Sequence, residues 1–241
     1  MQLSIIIPAY NEEKYIEACL ESVFRALEAS AITDGRAEVI VVDNNSTDGT
    51  AKLAEEAGAR VVFEPLNQIS RARNAGARAA SGEWLLFIDA DSNLSPQSLT
   101  DLLKHIGTGK YAGGGCLVGL DKAPLDAKLG MAFWNLLSRS FKWAAGSFIF
   151  CRAELFRDVG GFSQELFAAE ELDLSGKIKR WARSRGLGVV ILKDHPHISS
   201  GRKFYLYSKR EILGYLLRWL FFTRRSMRSR DHLGYFYEGR R

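Results

Sequence analysis

This 241-residue chain has few features that would point to export, cross-linking or membrane spanning. Its three cysteines lie far apart and form no CxxC pair, which excludes a disulfide framework and a cysteine zinc site. The longest apolar stretch, residues 212–222, contains Arg218 and falls short of the roughly 20 residues that span a bilayer. No basic leader with an apolar core and no repeat is present. These absences predict reduced cysteines and a cytoplasmic location.

The net charge of +5 is unevenly distributed. Residues 201–241 contain 11 Lys or Arg against 3 Asp or Glu, which leaves 22 against 25 in residues 1–200. A slightly acidic body is not typical of a nucleic-acid binder, so we predict no nucleic-acid partner. A short basic segment suits an anionic surface such as phospholipid headgroups.

Short apolar runs alternate with helix-period segments in the first half of the chain. Strands are predicted over residues 3–7, 39–42, 59–63 and 84–88. Helices are expected from Asn11, which would cap the first, after residue 48, and over residues 70–80. This alternation predicts a doubly wound α/β layer with ligands beyond the carboxyl ends of its strands.

The second half of the chain is less regular. Strands are predicted over residues 111–118, 147–151 and 189–192, and helices over residues 153–159 and 170–185. Residues 131–143 fit either an amphipathic helix or a membrane-facing loop.

Acidic residues stand at the ends of two predicted strands. Asp89 and Asp91 follow the fourth strand, and Asp43 follows the second. Of two carboxylates at i and i+2, one can accept hydrogen bonds from a ribose while the other holds a divalent cation against a diphosphate. An isolated Asp-x-Asp is more often a solvated turn or a helix cap. The position of Asp43 at the sheet edge favours contact with a nucleobase.

Charged side chains elsewhere extend this candidate site. Arg71, Arg73 and Asn74 lie on the helix before the Asp pair, where an arginine either bonds a diphosphate bidentately or is an ordinary surface charge. Glu170 and Glu171 begin a predicted helix, whose dipole would stabilise them. The alternative is a general base whose pKa is raised by crowding among acids.

Two more candidates follow the last predicted strand. His197, one of two histidines flanking Pro196, is either a metal ligand or a surface histidine. Arg202 either clamps a phosphate or begins the basic segment.

Four segments, in order over residues 1–200, resemble the GT-A glycosyltransferases of family 2. They are IIIPAYNE at 5–12, VVDNNSTDGT at 41–50, SRARNAGARAASGEWLLFIDAD at 70–91, and GSFIFCRAELFRDVGGF at 146–162 running on to AEELDL at 169–174. The resemblance implies a GT-A catalytic domain over residues 1–200. It also implies an inverting transfer from a UDP- or GDP-linked sugar, with Mg²⁺ or Mn²⁺ as cofactor.

The resemblance also implies roles for individual residues. Those assigned to the donor are Pro8, Tyr10, Glu12, Asp43, Arg71, Arg73, Asn74 and Asp89. Asp91 would bind the metal, and Glu171 falls at the position of the catalytic base. The family usually has Glu-Asp where this chain has Glu170-Glu171, so the base is open between these two. The Gln-x-x-Arg-Trp motif of processive synthases is missing, which favours a single transfer.

Residues 201–241 are expected to form a basic, amphipathic helical extension. It would bind an anionic membrane surface and bring a saccharide or lipid-linked acceptor to the site, or it would pack on the catalytic domain or on a second copy in a homodimer. The protein would then be cytoplasmic or peripheral on the inner face of the cell membrane.

Two other functions compete with sugar transfer. A sugar nucleotidyltransferase uses a similar sheet, but it normally needs a Gly-rich basic loop after the first strand, which PAYNEE lacks. The third candidate is a catalytically idle scaffold, against which the intact acidic positions argue.

Overall fold

The computed structural model describes residues 2–30, 36–121, 123–144 and 146–201. In these ranges strands and helices alternate strictly only through the first half of the chain. The strands are β1 (Leu3–Ala9), β2 (Ala37–Asp43), β3 (Arg60–Phe63), β4 (Trp84–Ile88), β5 (Ser92–Asn93), β6 (Tyr111–Leu120), β7 (Phe148–Arg152) and β8 (Gly188–Ser199). The helices are α1 (Ile16–Ala29), α2 (Thr50–Glu56), α3 (Ile69–Ala79), α4 (Pro96–Gly107), α5 (Leu125–Phe141), α6 (Ala153–Asp158) and α7 (Glu170–Ser184).

The strands form one mixed sheet in the order β3-β2-β1-β4-β7-β6-β8-β5. The first four strands of this order run parallel, as the alternating pattern predicts. β7 is antiparallel to β4 and β6, β8 is parallel to β6, and the short β5 is antiparallel to β8. The predicted α/β layer is therefore confirmed, and the second half of the chain adds its mixed part.

Both faces of the central strands are buried, which explains their continuous apolar runs. In β4, Trp84, Leu86 and Ile88 belong to one hydrophobic cluster, and Leu85 and Phe87 belong to the other. Helices α1 and α4 contribute to the first cluster, and α3, α6 and α7 contribute to the second. The sheet therefore lies between two helical layers and presents its strand ends as a polar edge.

The first helix begins later than predicted. Asn11 has a left-handed backbone with φ 51°, and α1 starts only at Ile16, so Asn11 does not cap it. The backbone N–H of Asn11 instead donates to Ser46 Oγ at 3.0 Å, and Asn11 Oδ1 accepts from the Thr47 N–H at 2.8 Å. The turn after β1 is thus fastened to the loop after β2.

The last described strand is longer than predicted. Its register against β6 shifts between Cys116, which pairs with Leu192, and Val118, which pairs with His197. This irregularity lets β8 continue past Pro196, so His197 lies inside the strand rather than after it.

Of the two alternatives for residues 131–143, the helix is confirmed, since α5 covers most of that range. No helix in the described ranges is long and apolar enough to cross a membrane. The predicted basic extension, including Arg202, lies outside the described residues apart from Gly201.

The close approach of α3 to the sheet depends on Gly76. A Cβ added there would collide with the Ile6 side chain and lie 2.9 Å from Val42 Cγ2. We predict that Gly76→Ala lowers the free energy of unfolding by about 1–3 kcal/mol through overpacking, as measured by urea denaturation. Gly130→Ala is the matched control, because an added Cβ meets nothing within 4 Å at that helical position. It should raise the stability by up to about 1 kcal/mol. An unchanged stability in Gly76→Ala would contradict the tight packing.

Candidate active site

The carboxyl ends of neighbouring parallel strands bring predicted site residues to one edge of the sheet. Ala9, the last residue of β1, pairs with Asp43, the last residue of β2. Asp89 immediately follows β4, which is the other neighbour of β1. Asp43 is buried, and its Oδ1 accepts a hydrogen bond from the Ser46 N–H at 3.0 Å. The end of β1 therefore separates Asp43 from Asp89 along this edge.

The end of β1 and the following turn carry three more predicted residues. Pro8 and Tyr10 are partly buried, and Glu12 is buried. The backbone N–H of Glu12 donates to Thr50 Oγ1 at 2.8 Å, which holds the turn against the start of α2. These residues therefore stand next to the loop that begins with Asp43.

One buried arginine joins three acidic residues. Arg73 on α3 is 2% exposed, and its Nη2 lies 3.1 Å from Asp89 Oδ1 and 3.0 Å from Glu171 Oε1. Its Nη1 donates to Glu170 Oε1 at 3.2 Å, and its guanidinium carbon lies 5.1 Å from the centre of the Phe162 ring. Burial opposes the charge on Arg73, but the carboxylates of Glu171, Asp89 and Glu170 outweigh it and raise the arginine's pKa. Arg73 is therefore a fixed cation that gathers acids from both halves of the chain.

The two glutamates at the start of α7 differ in environment. Burial raises the pKa of Glu170 to about 7, the charge of Glu171 adds to the rise, and Arg73 opposes it. The Glu170 side chain is 7% exposed, whereas that of Glu171 is 21% exposed. Glu171 Oε2 accepts from the backbone N–H of Gly146 at 2.7 Å. Glu171 is thus oriented through both oxygens and open to a ligand, while Glu170 is enclosed.

The turn that begins α7 is strained. Ala169 has a left-handed backbone with φ 61°, which is uncommon for a residue with a Cβ. Glu170 and Glu171 lie in the first turn of the helix, where the helix dipole favours negative charge. Such outliers are concentrated at functional sites, and this one fixes the direction in which both glutamates point.

Asn74 holds the loop that carries Phe162. Its Nδ2 donates to the Phe162 carbonyl at 2.9 Å, and its Oδ1 accepts from the Phe162 N–H at 3.0 Å. Gly161 before it has φ +65°, and a Cβ added there would lie 2.6 Å from Asn74 Oδ1. The amide of Asn74 is therefore committed to the protein backbone, where it positions the aromatic ring beside Arg73.

Arg71 points to a different set of partners. Its Nε lies 3.2 Å from Oε1 of the buried Glu64, and its Nη1 donates to Gln164 Oε1 at 3.0 Å. The start of α3 thus contains two different arginines. Arg73 is buried among the carboxylates, whereas Arg71 is paired with Glu64 and partly exposed.

His197 is buried, and neither of its ring nitrogens has a hydrogen-bond partner in the described part of the chain. Burial lowers the pKa of His197 to about 4, against the influence of Asp89, so the imidazole is neutral at neutral pH. A neutral, unpartnered imidazole near a carboxylate fits a divalent cation. Within the described residues, no group of three or more potential ligands is already assembled. A cation held here would therefore need ligands beyond the described side chains, such as the oxygens of a bound phosphate.

Two contributions to this site are missing from the sequence predictions. The Gly146 N–H that bonds Glu171 is a backbone group, for which a residue pattern gives no signal. Phe162 beside Arg73 had a usable signal, because the preceding glycine pair marks a tight turn.

The predicted metal ligand Asp91 lies between β4 and β5 and is partly buried.

Solved structures share the fold. TarS from Staphylococcus aureus, solved in complex with UDP-GlcNAc, matches with a TM-score of 0.67 and 24% identity over 83% of this chain and 58% of that one. The mannosyltransferase PcManGT from Pyrobaculum calidifontis, in complex with GDP-Man and Mn²⁺, matches with a TM-score of 0.65 and 23% identity over 98% and 63% of the two chains. The fold is therefore that of the GT-A glycosyltransferases.

Within that class, the chain belongs to glycosyl transferase family 2, whose model matches residues 4–159. The glycosyltransferase AglE of Haloferax volcanii is 30% identical over 183 residues, which cover 70% of this chain and 59% of AglE. The chain spans less than two thirds of the length of this and other curated relatives, in two of which the match covers 27% and 30%. The chain is thus a transferase domain with the expected fold.

Removing the buried cation should destabilise the domain in a pH-dependent way. We predict that Arg73→Met lowers the free energy of unfolding by about 3–5 kcal/mol at pH 8, because three carboxylates lose their partner. Glu170, whose pKa rises from 4.5 to about 7, contributes stability that is present below pH 4.5 and is lost as pH rises through 7. Without Arg73 the pKa of Glu170 rises further, so this glutamate is protonated and uncharged at pH 5.5. The loss of unfolding free energy in Arg73→Met should therefore be smaller at pH 5.5 than at pH 8.

Arg73→Lys is the matched control for this measurement. It keeps the charge but not the planar fork, so its loss should be smaller than that of Arg73→Met. Equal stability of Arg73→Met and the parent at pH 8 in chemical denaturation would contradict the role of the cluster.

Proposed function

We propose that this domain transfers a single sugar from a nucleotide-diphosphate donor to an acceptor hydroxyl, with inversion at the anomeric carbon. The observation that carries the proposal is the Arg73 cluster, which joins Asp89 at a strand end to Glu171 at a helix start. This arrangement puts a candidate base next to the edge where ligands of such sheets bind. The UDP-GlcNAc and GDP-Man in the TarS and PcManGT structures support a nucleotide-sugar donor. The missing Gln-x-x-Arg-Trp motif supports transfer of one sugar.

The donor would lie along the carboxyl edge of the sheet. Its base would reach Asp43, with the pocket completed by Pro8, Tyr10 and Glu12. Its ribose or sugar would meet Asp89, whose Oδ1 is already bonded to Arg73 while the side chain remains 30% exposed. Arg71, whose side chain is partly exposed near the N-terminal end of α3, would approach the donor, and Arg202 would add a phosphate contact.

Mg²⁺ or Mn²⁺ would be held by Asp91 and His197 together with oxygens of the donor diphosphate. When bound, the cation would neutralise the negative charge that grows on the diphosphate as it leaves. The unpartnered nitrogens of His197 support this assignment, as does the Mn²⁺ in the PcManGT structure. His197 would contribute a neutral ligand from strand β8, and the other ligands would come from Asp91 and the donor.

Glu171 is the proposed general base. It would take the proton of the acceptor hydroxyl as that oxygen bonds to the anomeric carbon, while the bond from this carbon to the diphosphate breaks on the opposite face. Arg73 and the Gly146 N–H hold the two oxygens of its carboxylate in a fixed direction. The family model ends at residue 159, so the assignment depends on the AEELDL segment and on this geometry.

The choice between the two glutamates is tested by isosteric amides. We predict that Glu171→Gln lowers transfer by at least about 100-fold, because the amide takes up no proton. Nucleotide binding should be retained, since Gln keeps the size of the side chain. The measurement is release of nucleoside diphosphate from UDP- and GDP-sugars, with transfer to water where no acceptor is present.

Glu170→Gln and Glu171→Asp are the controls. Glu170→Gln should keep most of the transfer, and Glu171→Asp should keep part of it, because it restores the usual length of the family's base. Full activity in Glu171→Gln would move the base elsewhere, and loss of activity in Glu170→Gln alone would assign it to Glu170.

The metal assignment is tested by thermal unfolding with a panel of nucleotide sugars, with and without Mn²⁺. We predict a rise in Tm for one donor that requires Mn²⁺, because a ligand that binds only the folded state stabilises it. His197→Leu should fold, since the imidazole has no described hydrogen-bond partner to lose, but it should lose the Mn²⁺-dependent part of the shift. An unchanged metal dependence in His197→Leu would remove this residue from the site.

A further inference from the structure

Helix α5 carries an exposed apolar stripe that no described residue covers. Its members lie three, four or five positions apart, and their exposed fractions range from 54% to 73%. They are Leu125, Leu129, Phe133, Leu136 and Phe141. At 100° per residue, the first four fall within one face of the helix. The helix is about 25 Å long, so the stripe is an extended surface rather than a single exposed side chain.

The opposite face of α5 attaches it to the sheet. Ala127 and Ser138 are buried, and Asn135 bonds the N–H of Val118 at 3.1 Å and its carbonyl at 2.8 Å. At the C-terminal end, the Trp143 ring stacks on Phe141, with ring centres 4.9 Å apart. The stripe therefore points away from the body of the domain and ends in an aromatic pair.

Basic residues accompany the stripe. Lys128, Arg139 and Lys142 are exposed, and Asp126 is the one acidic residue between positions 125 and 142. Apolar and aromatic residues with a basic flank are typical of helices that lie in the interface of an anionic bilayer. We propose that α5 docks this domain on an anionic phospholipid surface.

Charge favours an anionic lipid surface over residues 202–241 as the partner that covers the stripe on α5. Gly201, whose N–H donates to Asp121 Oδ1 at 2.7 Å, lies against Ala123 just before α5. Residues 202–241 contain 11 basic against 3 acidic residues, and residues 125–142 contain 3 against 1, so both segments have a net positive charge. Anionic lipid complements both of them.

The docking surface is connected to the candidate base. The chain leaves α5 and reaches Gly146, whose N–H holds Glu171, and on the way the Ala144 carbonyl accepts from Ser175 Oγ at 2.7 Å. This part of the inference rests on the proposed function: an acceptor carried by the lipid surface would present its hydroxyl near Glu171.

A fluorescent label on the stripe tests the docking in the full chain. The three native cysteines are buried, and burial raises the pKa of each thiol, so they react poorly. Phe133→Cys therefore introduces the one exposed thiol in the described residues, and the segments outside them contain no cysteine. Phe63→Cys is the matched control, since Phe63 is 61% exposed and Phe133 is 63% exposed.

The expected result is a blue shift of an environment-sensitive label at position 133 with phosphatidylcholine/phosphatidylglycerol vesicles. The shift should be weak with phosphatidylcholine alone, should decrease with salt, and should be absent at position 63. A label that is already in an apolar environment without vesicles would overturn the proposal. A dependence on protein concentration would then assign the stripe to a second copy, and independence would assign it to residues 202–241. No shift under any condition would also overturn it.

Vesicle co-sedimentation of the unlabelled chain provides a second measurement. Replacing Leu129 and Phe133 by Ser should weaken binding about tenfold or more, because two apolar side chains lose their burial in lipid. Replacing Phe63 and Leu66 by Ser, two residues of similar exposure, should leave binding unchanged. Equal binding of the two variants would contradict docking through α5. Nucleotide-sugar binding is measured in parallel, so vesicle binding without donor binding would reject the proposed function and leave the docking intact.

Discussion

The arrangement of this site depends on one buried guanidinium. Arg73 is nearly inaccessible to water, and a charge in that position is stable only when it is paired and hydrogen-bonded. Its three carboxylate partners come from the end of β4 and the start of α7. A lysine would supply the charge but not the planar fork, in which Nη1 and Nη2 face different acids. Surrounding features serve the same constraint: Gly76 brings α3 onto the sheet, and the turn at Gly161 places Phe162 beside the cation.

The parts of the fold that depend on local pattern were predictable. The apolar run 84–88 coincides with β4, and Asp43 and Asp89 stand at the strand ends where the alternation places them. Helix α4 is absent from the predicted elements, although its signals are ordinary: Ser95 caps it through the Ser98 N–H, and Pro96 occupies its first turn. The extension of β8 past Pro196 was not predictable, because a proline normally ends such a strand and only the shifted pairing with β6 accommodates it.

The candidate site also has parts that the sequence pattern predicts and parts that depend on tertiary packing. Residue types and strand ends indicated candidate side chains, and the family resemblance implied a role for each of them. The partners of Arg73 were beyond local pattern, since Arg73 and Glu170 are 97 residues apart and meet only through the packing of α3 and α7 against one face of the sheet. The contrast between an enclosed Glu170 and an accessible Glu171 depends on the backbone direction at Ala169, which neighbouring residue types do not reveal.

The 97-residue separation of Arg73 and Glu170 also bears on how the domain is made. During synthesis, α3 and the first four strands of the parallel layer leave the ribosome well before α7. Before α7 is made, Asp89 is the one acidic partner of Arg73 that the chain already contains. Burial of the guanidinium at that stage would leave it without the two glutamates. The final packing around Arg73 therefore requires α7, whose two glutamates complete the set of carboxylates that surround the buried cation.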